Sequence, residues 1–331
     1  MKKALVSGGA GFLGSAIIRQ LAARGIQLVV VDKNESRALE ALGVDFRLGD
    51  INDKNFLKDA CRGCDTVFHV AARKGDWGPR KEFLTVNVEG TRNVIEVCLK
   101  NGVRNLVYTS TAKVFFDGND ICGVNESTAY PANIKSPYCQ TKMLAEQLVL
   151  AANSEQLRTT ALRPNLIWGP GDPFFIPDLV KKGALGRLRK IGDGHNLVDF
   201  CYVENAAAAH LLAADNLEQS GKAAGEAYFV SQGEPVILWN WINKLFRHLE
   251  LQPVENEISF RKAYLTGFTL EWIHKLLRLQ KEPRLTRFRV EVLARSQWFS
   301  IAKAKRDLRY HPVVSTAEGL LRTVEWIWNA E

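Results

Sequence analysis

The chain has 331 residues, 46% of them hydrophobic and 24% charged. These are ordinary values for a globular protein and exclude intrinsic disorder, collagen-like repeats and low-complexity architecture. At roughly 150 residues per unit the length suggests two units, or one large α/β unit carrying a smaller one. A net charge of +8 brings nucleic acid, membrane surfaces and anionic substrates into consideration.

The first element is a β-rich run at Ala4-Leu5-Val6-Ser7, with no leader-like stretch before it, so a cytoplasmic protein is expected. Further short β-rich runs follow at Leu28–Val31, Thr66–Val70, Asn105–Thr109 and Thr160–Leu162. Stretches with helical spacing, such as Ile17-Ile18-Leu21 and Val94-Ile95-Val97-Cys98, separate them. This alternation predicts an α/β fold, a doubly wound parallel sheet covered on both faces. After about residue 170 the pattern becomes mainly helical, with a strand at Ala227–Val230 and helices near 236–249, 262–279, 286–295 and 316–328. The expected division is a dinucleotide-binding unit over 1–170, with a further contribution from about 195–230, and a substrate-binding region and C-terminal lid over 171–331. The apolar stretch from Ala263 to Leu277 is too short to span a bilayer and is interrupted by Glu271, His274 and Lys275.

The six cysteines are thinly spread, in keeping with a reducing compartment. Cys61-Arg62-Gly63-Cys64 has redox or half-metal-site spacing, but no second ligand pair accompanies it, so a plain turn is the better reading and no metal is expected.

Between the first strand and first helix lies Ser7-Gly8-Gly9-Ala10-Gly11-Phe12-Leu13-Gly14. Glycines at 8, 11 and 14 let backbone N–H groups and a helix N-terminus approach a pyrophosphate, with Phe12 and Leu13 in the same turn. Asp32 ends the second strand, where a carboxylate binds an adenosine ribose diol and repels a 2′-phosphate, so NAD is favoured. Lys33 and Arg37 could offset that repulsion, which leaves NADP open. Asp50 and Ile51 follow the third strand, and Ala71 and Ala72 follow the fourth, all at the sheet edge where ligands bind. Asp50 also qualifies as a helix cap.

Tyr138 and Lys142 are an i, i+4 pair at the start of a helix, and Thr109-Ser110-Thr111 ends a strand with three hydroxyls. A phenol with a reference pKa near 10 needs a neighbouring cation to act as a base near neutrality. An isolated pair of this kind is usually an exposed helix face. Here the glycine loop, Asp32 and the hydroxyl strand precede it in compatible order.

These motifs, with Phe68-His69-Val70-Ala71-Ala72, Asn87-Val88-Glu89-Gly90-Thr91, Leu162-Arg163-Pro164 and Gly169-Pro170-Gly171-Asp172, make the chain resemble an extended short-chain dehydrogenase/reductase. Within that superfamily it resembles the 3β-hydroxysteroid dehydrogenase branch. The segments 163–172, 192–199 and 283–288 are most similar to bacterial 2-alkyl-3-oxoalkanoate reductases. The resemblance implies a Rossmann-type fold and a homodimer through helices at 82–100 and 137–153. It also implies hydride transfer between NAD(P)(H) and a secondary alcohol or ketone. Tyr138 is then the general acid/base, Lys142 binds the nicotinamide ribose and depresses the tyrosine pKa, and Thr111 holds the substrate oxygen with Ser110 as fallback. Pro164 and Ile167 join the cofactor-binding set, and Asn87 is an architectural polar anchor.

Nucleotide-sugar epimerases and dehydratases share most of these motifs, and non-catalytic dinucleotide sensors share some. Leu166 stands where the sugar-nucleotide enzymes usually carry asparagine, and Trp77 and Trp168 are placed to line an apolar pocket, so a hydrophobic substrate is favoured. Each tryptophan also has a simple packing reading. Nucleic acid is not expected, since no helix-turn-helix, zinc or RNP-like signature is present.

The charge excess is localised. Residues 259–311 hold thirteen Lys/Arg against four acids, and the remainder is nearly neutral. In the helix expected at 262–279, Leu265, Phe268, Trp272, Leu276 and Leu279 form one stripe, with Glu271, His274, Lys275 and Arg278 opposite. The plain expectation is a packed stripe and a solvated basic face. The sharper one is contact with an anion, as a substrate carboxylate, a lipid headgroup at a membrane periphery or an acidic partner.

Overall fold

The computed structural model describes residues 1–279 and 281–329. Seven parallel strands form the central sheet: β1 (Lys3–Ser7), β2 (Gln27–Asp32), β3 (Asp45–Leu48), β4 (Thr66–His69), β5 (Asn105–Thr109), β6 (Arg158–Pro164) and β7 (Glu226–Val230). They lie in the order β7-β6-β5-β4-β1-β2-β3. The order reverses between β1 and β4, so the chain leaves these neighbours in opposite directions and opens a crevice at their carboxyl ends.

Both faces of the sheet are buried, which is why the strands read as continuous apolar runs. On one face Val6, Val30, Phe68 and Leu162 pack with Ile17 and Leu21 of helix α1 (Phe12–Ala23) and with the alanine-rich helix α4 (Val203–Gln219). On the other, Leu5, Val29, Val67 and Leu106 pack with Val94 and Cys98 of α2 (Gly90–Asn101) and Ala145 and Val149 of α3 (Pro137–Ala151).

A third core lies in the C-terminal half, where Trp168, Phe200, Trp239, Trp241 and Phe246 are all buried. A small sheet of Val236–Ile237, Leu197–Val198, Gln297–Phe299 and Ile121–Val124 borders it. These strands of two to four residues are too short to show alternation in sequence. Two helices matter below: α5 (Phe260–Leu276) and α6 (Arg287–Ala294). Cys61 caps the helix Lys54–Ala60, and the Cys64 N–H bonds the Cys61 carbonyl at 3.0 Å, so this stretch is a turn.

The orientation of α5 reverses the plain expectation. Ala263, Gly267 and Glu271 are its buried residues, whereas Leu265, Phe268, Trp272 and Leu276 are between 48% and 63% exposed. The cause is Glu271, whose carboxylate accepts from the Arg287 backbone N–H (2.7 Å) and the Arg287 Nε (2.9 Å). Gly267 allows the approach, because a Cβ there would stand 3.0 Å from the Arg287 nitrogen.

Candidate active site

The glycine loop follows β1 at the crevice. Gly8 has a φ of +74° and lies so close to Ala71 that a Cβ would meet its nitrogen at 2.6 Å. A Cβ on Gly14 would stand 2.1 Å from the Gly8 carbonyl oxygen. The loop is thereby pressed against its own helix and β4, and the N-terminus of α1 begins at Gly11 with no side-chain cap. An uncapped helix start behind a close backbone turn suits an anionic pyrophosphate.

Asp32 lies across this loop, accepting from the Ala10 N–H through Oδ2 and from the Asn34 N–H through Oδ1, both at 2.9 Å. Lys33 does not reinforce a phosphate site, because its ammonium pairs with Asp50 at 2.8 Å. Asp50 is not the cap of the following helix either. That role belongs to Asp53, which accepts from the Asn55 and Phe56 N–H groups at 3.0 Å. Ala71 and Ala72 are half-buried at the end of β4. Leu13 and Ile51 are buried, and the Ile51 side chain packs against Gly90, so these two offer backbone to a ligand. The residues present fit a bound NAD.

Opposite the glycine loop, β5 runs into Thr109, Ser110 and Thr111. The Thr111 side chain, which accepts from the Lys113 N–H at 3.3 Å, lies beside the Tyr138 phenol. Tyr138 enters at the first turn of α3, which Ser136 caps and Pro137 starts. Burial pushes the Tyr138 phenol above its usual range, while the neighbouring Thr111 hydroxyl pulls the other way. The family-based expectation of a depressed phenol therefore does not describe the ligand-free protein. Lys142, one turn on, donates from Nζ to the Thr109 carbonyl at 2.6 Å and lies 4.2 Å from the centroid of the Tyr108 ring. Burial lowers it to about 7, with Glu146 raising it and Lys74 lowering it. Ser110 is buried and its hydroxyl has no partner among the described residues.

The surrounding polar groups are structural. His69 is held between Ser7 (2.7 Å) and Thr91 (2.9 Å), and Thr109 bonds His210 at 2.8 Å. Asn87 sits in the widened π-helical turn Leu84–Glu89. Its amide bonds the Arg73 backbone at both ends (2.8 and 3.1 Å) and the Thr141 hydroxyl (3.0 Å), tying the loop after β4 to α3.

Trp77 is half-buried, its ring edge-on to His274 of α5 at 6.0 Å. Trp168 is a correction: with no exposed surface, it is wedged against Trp241, Tyr202 and Phe200 in the third core and lines no open pocket. Pro164 ends β6 buried, and Ile167 begins the short strand beside it. Leu166 packs on the third core, with its carbonyl accepting from the Cys201 N–H at 3.1 Å.

Two features escaped the sequence. Lys113, two residues after Thr111, lies 5.5 Å from the Phe288 ring centroid, forms no ion pair among the described residues and is lowered chiefly by burial. Its position relative to Thr111 was the available signal. The second is Asp76 in the loop after β4. It accepts from the Thr286 hydroxyl, shares Arg289 with Glu282 and pushes the Glu282 carboxyl upward together with burial. Such contacts between positions some two hundred residues apart carry no local signature.

A sequence model of the 3-beta hydroxysteroid dehydrogenase/isomerase family matches residues 5–261. The 2-alkyl-3-oxoalkanoate reductase of Stenotrophomonas maltophilia (strain K279a) is 43% identical over 97% of this chain and 98% of its own length. The sterol-4-alpha-carboxylate 3-dehydrogenase, decarboxylating, of Mus musculus is 35% identical over 98% of this chain and 90% of its own. Among solved structures, MoeE5 in complex with UDP-glucuronic acid and NAD superposes with a TM-score of 0.77. It is 27% identical, covering 99% of this chain and 100% of that one.

Proposed function

The chain belongs to the 3-beta hydroxysteroid dehydrogenase/isomerase family, and from that premise we propose that Tyr138, Thr111 and Lys142 carry out NAD-dependent reduction of a ketone on a hydrophobic carboxylic acid. The observation that carries this reading is the Lys142 Nζ to Thr109 carbonyl bond at 2.6 Å, which fastens the helix that carries Tyr138 to the strand that leads into Thr111 at the carboxyl edge of the sheet. Gly8, Gly11, Gly14, Asp32 and the start of α1 would hold the dinucleotide, whose reduced form, NADH, would supply the hydride. Thr111 and Tyr138 hold the substrate oxygen, and the neutral phenol gives that oxygen its proton, so its upward shift suits the reductive direction. Lys142 orients the cofactor ribose from its anchored position on Thr109.

The names of the bacterial and mouse relatives both place a carboxylate on the carbon next to the oxygenated one. We assign the partner of that carboxylate to Lys113. Its neighbour Arg289 is already engaged by Glu282 at 2.7 Å and Asp76 at 3.7 Å, whereas Lys113, two residues after Thr111, forms no ion pair among the described residues. The substrate region is taken as 171–331, dimerisation as running through α2 and α3, and residues 259–311 as a peripheral contact with a membrane.

Following NADH consumption with a 2-alkyl-3-oxo acid and, separately, conversion of UDP-glucose to its 4-epimer by product chromatography tests the reading. Turnover is expected with the acid; turnover with the sugar nucleotide alone would replace it by an epimerase-like activity.

A further inference from the structure

We propose that the outer face of α5 and the turn after it dock the protein on an anionic bilayer, with the helix lying in the plane of the headgroups. Leu265, Phe268, Trp272 and Leu276 recur at helical spacing along this face, and Ile273, Leu277 and Leu279 extend it. All seven are exposed, by 36% to 63%. A soluble monomer rarely leaves so large a continuous apolar surface in water.

The exposure is built in from the opposite side. Ala263, Gly267 and Glu271 turn inward, Glu271 is tied to Arg287, and Gly267 takes the backbone of Thr286 and Arg287 at contact distance. Rotating α5 to hide its leucines would expose an ion pair and drive Trp272 into the start of α6. The outward face is therefore part of the packed structure.

Charge selects the occupant. Arg261 and Lys262 flank the apolar face at one end, and Lys275, Arg278, Lys281 and Arg284 at the other; all are exposed and none forms an ion pair among the described residues. Glu271 and Glu282, the acids of this stretch, are spent on Arg287 and Arg289. Apolar side chains including a tryptophan, flanked by unpaired cations and interrupted only by the neutral Thr266 and Thr269, match the boundary between acyl chains and anionic headgroups. An acidic protein would satisfy the rim but not seven apolar side chains. No described helix is long and apolar enough to cross a membrane, so the geometry is that of a helix lying on the surface.

The docking face adjoins the site. His274 and Lys275 reach Trp77, and Thr286 bonds Asp76 in the same loop after β4. An apolar acid resting in the leaflet that faces the protein would thus meet the loop that borders the reaction centre. This inference deepens the peripheral-contact reading above and is independent of the catalytic assignment.

Flotation of the full chain with vesicles of phosphatidylcholine, or of phosphatidylcholine with about 30% phosphatidylglycerol, reads the proposal directly. Most of the protein should float with the anionic vesicles and little with the neutral ones. Trp272→Glu with Leu276→Glu should cut the floated fraction at least about tenfold, and Arg278→Glu with Lys281→Glu should remove the dependence on phosphatidylglycerol. Both double variants should keep wild-type melting temperature and turnover of a short, water-soluble substrate. Wild-type protein remaining unfloated with anionic vesicles overturns the proposal. So does a dimer that the Trp272→Glu, Leu276→Glu variant converts to monomer, which would show that a second copy covers the face. Vesicle binding without turnover of any oxo acid would leave the docking intact and remove the catalytic reading.

Discussion

The Lys142 ammonium donates to the carbonyl of Thr109 at 2.6 Å, so the helix that brings Tyr138 to the site is fastened to the strand that brings Thr111. The bond crosses a buried region, and burial brings the lysine to about 7 from an ordinary 10.5. Between those values the unfolded chain holds a proton that the folded one has released, so this group makes the ligand-free protein more stable as pH rises from 7 toward 10. Urea midpoints at pH 7, 8 and 9 should climb more steeply in wild type than in Lys142→Met. Parallel curves would show that Lys142 is not shifted.

Tyr138 carries the opposite lesson. Burial raises the phenol, so its proton-donating form persists throughout the neutral range and above. The Tyr138 proton should put no downturn into reduction through neutral pH, an inflection near 7 being that of Lys142, while alcohol oxidation, which needs the phenolate, should rise with pH. Tyr138→Phe should lower kcat by about 10²–10⁴-fold and leave NADH affinity unchanged. Thr111→Ser should retain most activity and Thr111→Val should not.

On the proposed reading, cofactor choice depends on the Lys33–Asp50 pair as well as on Asp32. With its ammonium drawn to Asp50, Lys33 is unavailable to a 2′-phosphate. Asp50→Asn should free it and improve kcat/KM with NADPH by roughly 5-fold, about the worth of one exposed charge contact. Asp32→Asn should weaken NADH binding and narrow the discrimination further. Paired NADH and NADPH kinetics on both variants check this.

Lys113→Met should raise KM for a 2-alkyl-3-oxo acid by about 10-fold or more, the scale of a lost hydrogen bond to a charged group. It should have little effect on the methyl ester of the same compound. An equal effect on acid and ester would assign Lys113 to packing against Phe288.

Glu146 and Arg163 form a buried ion pair at 2.6 Å, joined by the Tyr130 hydroxyl and enclosed by the rings of Phe115 and Phe229. Glu146→Gln strands the guanidinium without its counter-charge, at a cost of about 3–5 kcal/mol in unfolding free energy. Chemical denaturation should show the loss, and it should exceed that of any single surface pair, such as Arg62 with Asp59.

The parallel sheet was legible because strands buried on both faces, such as Val29-Val30-Val31, produce apolar runs that helices interrupt. The glycine loop, Asp32 and the Tyr138–Lys142 pair stand out in the sequence because the chemistry expected of each calls for a particular residue at a local spacing. Trp168 was misread because an aromatic next to a functional turn has the same sequence appearance whether it faces a ligand or a core. The facing of α5 was misread for a related reason. Periodicity locates an apolar stripe but does not say which side the rest of the protein occupies. That side was decided by Glu271 and Arg287, sixteen positions apart.

Gly14 has a consequence for how such sequences are interpreted. What excludes a side chain there is the Gly8 carbonyl, an atom of the loop itself. The constraint would persist in a descendant that had stopped binding dinucleotide, for as long as it kept the same turn. The glycine spacing thus records inherited backbone shape, and evidence of a working enzyme has to come from groups whose retention the fold alone does not enforce, Tyr138 first among them.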